Sequence, residues 1–147
     1  MKKLILPLVI VLLLMVLVVS SFQPDEQSSP SDTIQENQIL ITDEGVFIQI
    51  QDAIWVQYSN TDSMDPLIDT TANGIEILVT EEVNLEVGDI VSYDAEWNDN
   101  LVSHRIIDSG TDSQGEYYIL KGDNNLTQDP NKVRRDQIKY KLVAIVY

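Results

Sequence analysis

The chain has 147 residues, with 24 acidic and 9 basic side chains, a net charge of −15 and 44% hydrophobic content, which suits one folded domain and leaves no room for two. A polyanion without a basic stripe repels phosphate backbones, so nucleic acid is excluded as a partner. The absence of Cys and the presence of a single His exclude disulfide scaffolds, thiol nucleophiles, thiolate zinc sites and any metal site needing two imidazoles; no cofactor or metal is expected, and the chemistry left is that of hydroxyls, carboxylates and one imidazole.

Lys2 and Lys3 are the only charges before Asp25, and an apolar run follows them from Leu4 to Phe22. At about 1.5 Å per residue this run is roughly 28 Å long, close to the ~30 Å of a bilayer core. Residues 1–22 therefore read as an N-terminal transmembrane signal anchor, single-pass in the cell membrane. The Lys pair places the N-terminus in the cytoplasm and the acidic remainder outside, with the lipid bilayer as a partner. A cleaved secretory signal fits the same plan and also exports the domain, but the run is longer than the usual ~7–15-residue apolar region of such a signal.

Residues 23–38, QPDEQSSPSDTIQENQ, hold one aliphatic residue and no period of either kind, and predict a flexible linker. From 39 to 147 come short runs rich in β-branched and aromatic residues, at Ile39 to Ile41, Val46 to Ile50, Ile54 to Tyr58, Ile75 to Thr80, Ile90 to Tyr93, Leu101 to Ile107, Tyr117 to Leu120 and Lys141 to Tyr147. They predict strands. Asp43-Glu44-Gly45, Asn73-Gly74, Asn98-Asp99-Asn100 and Ser109-Gly110 predict the turns between them, and only Asn131 to Gln137 suits a helical turn. The fold class expected is mostly β, a compact barrel or coiled antiparallel sheet, since parallel strands would need helical crossovers.

Three segments carry reactive groups. In Thr61-Asp62-Ser63-Met64-Asp65-Pro66 a Ser sits at a strand-to-turn junction where its hydroxyl can be presented to a cleft; a plain polar turn has the same composition. In Leu101 to Ile107, period-2 alternation puts His104 on the face of Val102 and Ile106 and turns Arg105 to the other, solvated or paired with an acid. A lone inward His fits a hydrogen-bonded core position as well as a proton acceptor. Lys121-Gly122-Asp123-Asn124-Asn125, followed by Asp129-Pro130, is a loop dense in acceptors from which an Asp can hold an imidazole in one tautomer.

Taken in order, these segments resemble signal peptidase I, in the branch found in archaea, the endoplasmic reticulum and some Gram-positive bacteria. Ser63, Met64 and Pro66 match the family's nucleophile motif, and Gly88, Asp89, Ile90 and Val91 its Gly-Asp-Ile-Val segment. His104-Arg105-Ile106 matches the segment where the bacterial branch has a catalytic Lys instead of His. Lys121 to Asn125 matches the fourth motif, with Asp129 where this branch carries a second functional Asp. The match spans roughly Ile54 to Tyr147.

The resemblance implies a signal-peptidase-like coiled antiparallel β domain of extracytoplasmic serine endopeptidase type. Its substrates would be signal peptides of exported preproteins, cut after small residues at −1 and −3, and its further partners a translocon or accessory subunits. It implies Ser63 as nucleophile, His104 as base, Asp129 as the residue orienting His104, and an oxyanion site at Thr61 and the Ser63 N–H. Asp123 is the alternative orienting acid, although an Asp beside Gly also suits the backbone N–H groups of its own turn. One departure stands out: the family has Ser-Gly before the nucleophile and this chain has Thr61-Asp62, where a carboxylate facing the oxyanion would oppose its charge. The competing reading is an exported β domain without activity that binds peptides or partner subunits.

Overall fold

The computed structural model of the protein describes residues 27–147. The expected anchor over 1–22 lies outside the described residues, among which no helix is long and apolar enough to cross a membrane.

Among the described residues eight strands follow one another: β1 (Ile39–Thr42), β2 (Gly45–Ile48), β3 (Ala53–Gln57), β4 (Asn73–Leu78), β5 (Ile90–Asp94), β6 (Leu101–Asp112), β7 (Gly115–Lys121) and β8 (Ile138–Val146). Helix is limited, among the described residues, to two 3-10 turns, Glu36–Gln38 and Arg135–Gln137; the second is what remains of the helical turn expected over 131–137. The domain is thus mostly β, in two antiparallel sheets. β1 and β2 form a separate hairpin whose Leu40, Ile41, Val46 and Phe47 are exposed, because two strands alone have no second layer to cover them. The other six strands pair in the order β3-β4-β8-β5-β6-β7, so β8 inserts between β4 and β5.

Two predicted turns lie inside strands. Asn73-Gly74 opens β4 and Ser109-Gly110 falls within β6, and in both places glycine makes room for a tyrosine rather than for a bend. A Cβ on Gly74 would collide with the Tyr58 hydroxyl, and one on Gly110 with the ring of Tyr117, its cross-strand partner. The chain reverses instead at Ser113-Gln114, where Asp112 is held by Arg134 at 2.9 Å and Lys132 at 3.0 Å.

Within the expected linker, residues 27–31 are held by the domain. Residues 27–31 lie on the domain and hydrogen-bond to buried groups at Asp89, Arg105 and Lys141; composition reports the lack of apolar residues there but not the buried polar partners waiting for them.

Two apolar clusters fill the domain. One gathers Val91, Tyr93, Val102, Ile106, Tyr118 and Leu120 between β5, β6 and β7. The other gathers Met64, Ile68, Ala72, Ile90 and Leu142 beneath the loop between β3 and β4.

Candidate active site

β6 shows its residues alternately to two sides. His104 points with Val102 and Ile106 and is 3% exposed; its strand partner on β5 is Val91. Ser63 reaches it from the loop between β3 and β4. That loop is fixed by Met64 and Ile68, both buried, and by one turn in which the Leu67 and Ile68 N–H groups donate to the Met64 carbonyl at 3.0 Å. Asp129 arrives from the loop after β7, its N–H donating to the Leu120 carbonyl at 2.8 Å, and is itself buried.

The three meet in a line. Ser63 Oγ lies 3.2 Å from His104 Nε2, and His104 Nδ1 lies 2.8 Å and 2.9 Å from the two Asp129 oxygens. With Nδ1–H donating to Asp129, Nε2 carries the lone pair and faces the Ser63 hydroxyl, the tautomer a general base needs. Asp129 is fixed in turn by the Tyr93 hydroxyl, which donates to Oδ2 at 2.7 Å. Burial first, then the bond to Asp129 and its negative charge, push the Tyr93 phenol above its ordinary range, so it stays a donor. Sequence reading missed Tyr93. The signal was available: period-2 alternation from Val91 places it on the face that also carries His104 across the strand pair.

Thr61 Oγ1 is 3.1 Å from Ser63 Oγ, beside the place where charge would develop on an attacked carbonyl. Asp62 between them has φ +58°, a left-handed conformation that Gly adopts freely and that Asp and Asn tolerate better than other side chains. The geometry shows that Asp62 stands where a Gly would also be accommodated. The Asp62 side chain is exposed, whereas Thr61, Ser63 and Met64 line the cleft.

Asp123 is placed elsewhere. Its carboxylate accepts Arg105 Nε at 2.8 Å and Nη2 at 2.7 Å, a buried two-point pair on the opposite side of β6 from His104. The expectation that Asp123 serves the N–H groups of its own turn is therefore corrected, and of the two readings of Arg105, solvated or paired with an acid, the paired one holds. The loop carrying Asp123 still touches the Ser63 segment: Asn124 N–H donates to the Ser63 carbonyl and Asn124 Nδ2 to the Asp62 carbonyl, each at 2.9 Å.

A cleft of about 610 Å³ opens over Ser63 and His104. Its walls are apolar or neutral, from Ile54, Val56, Ile68, Leu101 and Val102 among others, and Glu76 is the one acid lining it. Glu76 Oε1 accepts the hydroxyls of Tyr58 at 3.0 Å and Ser92 at 2.9 Å. Burial pushes its carboxyl above the usual range although both hydrogen bonds act the other way. Alternation within Ile75-Glu76-Ile77 reads as an outward acid, so no sequence signal marked it. Among the described residues no group of His, Asp and Glu is arranged to hold a metal ion.

No family model, curated protein or solved structure matches the chain.

Proposed function

We propose that the protein is a membrane-anchored serine endopeptidase of the signal peptidase I kind, in the branch that uses Ser, His and Asp, and that its sheet is the coiled β domain of that family. The observation that carries this reading is the hydrogen-bonded line from Ser63 through His104 to Asp129, at 3.2 Å and 2.8 Å, opening on a cleft. The ordered resemblance of four sequence segments, the left-handed Asp62 at the family's Gly position and the apolar N-terminal run support it further.

The geometry suits acyl transfer. Ser63 Oγ attacks the scissile carbonyl carbon while its proton passes to His104 Nε2. Thr61 Oγ1 and the Ser63 N–H are the donors for the oxyanion. As the C–N bond breaks, His104 gives that proton to the leaving amine, and the acyl group remains as an ester on Ser63. His104 then takes a proton from water as it attacks the ester, and returns it to Ser63 Oγ when the acid departs. Asp129 holds the imidazole in place and stabilises the imidazolium formed on the way.

β3 is an edge strand of the six-stranded sheet, and its Ile54 and Val56 line the cleft. An extended peptide can pair along such an edge with its side chains entering the apolar walls. Anchoring by residues 1–22 would confine the cleft near the membrane surface, where a preprotein's own apolar segment holds its cleavage site.

The test is incubation of the purified full-length protein in detergent with a preprotein carrying small residues at −1 and −3. Cleavage after the −1 residue by the wild type, abolished by Ser63→Ala and by His104→Ala, is the expected result. Cleavage unchanged by Ser63→Ala, or none by the wild type, overturns the proposal in favour of a binding domain without activity.

A further inference from the structure

Around Arg105, which faces away from His104 on β6, and around Asp89 and Lys141, buried charges and a polar segment lock together. Lys141, 2% exposed, pairs with Asp89 Oδ2 at 2.9 Å and donates to Ser31 Oγ at 2.7 Å. Ser31 donates its N–H at 2.8 Å and its hydroxyl at 2.9 Å to Asp89 Oδ1. Burial acts to raise the Asp89 carboxyl, but the Lys141 ammonium and the N–H groups of Glu86 and Ser31 outweigh it and hold the group below its usual range. Four residues earlier, Gln27 Nε2 donates to the Asp123 carbonyl at 3.2 Å, and the Ser28 carbonyl accepts Arg105 Nη1 at 3.2 Å.

Gly88 makes this contact sterically feasible. It has φ +107°, and a Cβ there would run into the Ser29 carbonyl; only glycine lets the segment lie flat on this turn. Thus Gly88 and Asp89, which the catalytic chemistry leaves unused, both face residues 27–31.

We propose that residues 27–31 are a strap that positions Ser63, acting through Arg105 and the Asp123-Asn124 loop, a role that rests on the peptidase reading above. The route is continuous. The strap holds Arg105 by the Ser28 carbonyl; Arg105 grips Asp123 at two points; the next residue, Asn124, donates to the carbonyls of Ser63 and Asp62. Gly122 lies against the same Ser63 carbonyl, where a Cβ would sit 2.5 Å away. A scissile carbonyl carbon held for attack tolerates little displacement of the attacking oxygen, since a misplacement of about 1 Å costs about 10²-fold in rate. Release of the strap leaves Ser63, His104 and Asp129 all present and loosens only the backbone that aims Ser63.

The experiment uses the full-length protein in detergent and compares the wild type with Ser31→Ala, Ser31→Thr and Ser31→Asp. Ser31→Ala removes the hydroxyl that Lys141 and Asp89 share, Ser31→Thr keeps it, and Ser31→Asp sets a second carboxylate against Asp89. Two readouts are taken: hydrogen exchange at the Asn124 amide, and the rate at which a serine-directed fluorophosphonate labels Ser63, with kcat and KM for a peptide alongside. Ser31→Ala should lower kcat and labelling about tenfold with KM unchanged, Ser31→Asp about a hundredfold, with Asn124 exchange rising in the same order and Ser31→Thr restoring all of them. Equal Asn124 protection in all four proteins overturns the strap. A wild type that is not labelled at Ser63 counts against the peptidase reading alone, because the exchange comparison judges the strap without it.

Discussion

His104 and Arg105 are neighbours on one strand, face opposite sides of it, and each is paired with an Asp from the same loop, at 2.8 Å and 2.7 Å. Both pairs are buried. What separates them is the base: an imidazole gives up and takes back a proton near neutral pH, whereas a guanidinium does not. One side of β6 therefore carries the pair to which the proposed mechanism gives the proton transfer, and the other a pair that can only hold. A two-residue stretch of sequence thus divides into chemistry and scaffold by alternation alone.

The comparison breaks most sharply at the two acids. Asp129→Asn keeps the shape but favours the wrong imidazole tautomer, and should cost about 10⁴-fold in kcat with little change in melting temperature. Asp123→Asn leaves Arg105 buried without its counter-charge, a change that costs about 3–5 kcal/mol of stability when one partner of a buried pair is removed. Thermal unfolding and preprotein cleavage on the two variants distinguish the effects. A stable, inactive Asp123→Asn protein together with an active Asp129→Asn protein would reverse the roles.

On the chemical side, Thr61 is the next largest effect expected. Loss of one oxyanion donor typically costs about 10²- to 10³-fold in turnover, so Thr61→Ala should fall by that much while Thr61→Ser stays near the wild type. Steady-state kinetics on one peptide decide it, and equal rates for Thr61→Ala and wild type would remove Thr61 from the site.

Glu76 sharpens the contrast as a third buried acid, paired with two hydroxyls and no cation. Its raised carboxyl keeps its proton in the folded state at a pH where the unfolded chain has lost it. Stability from this group is therefore fully present below the ordinary Glu range and is lost as pH rises towards the folded value. Glu76→Gln mimics the neutral form and should raise the melting temperature by a few degrees at pH 7, the gain closing below about pH 4. A gain that instead grew as pH fell would contradict the buried, proton-holding environment.

Much of this was legible from local pattern. All eight strands stand where β-branched runs lie, and His104 faces inward with Val102 and Ile106 as period-2 alternation requires. What alternation does not contain is the identity of distant partners. Gly74 and Gly110 read as turns because a glycine looks the same whether it bends the chain or clears space for Tyr58 and Tyr117. Arg105 reads as solvated or paired with an unspecified acid, and alternation does not say which acid, because its partner Asp123 lies 18 residues away. Residues 27–31 read as a free tether because the groups that bind them, Asp89, Arg105 and Lys141, are spread over the rest of the chain.

The position of β8 has a consequence in time. Between β4 and β5 it is, among the described residues, the strand that joins the half of the sheet leading into and out of the Ser63 loop to the half that carries His104 and Asp129. A growing chain can form the β5-β6-β7 meander early from local hairpins, but closing the two halves waits for residues 138–146, a long-range pairing that is slow to form. Ser63 and His104 are thus kept on separate folding units until the last strand is in place, and the Ser63-His104-Asp129 line is assembled only when β8 closes the sheet.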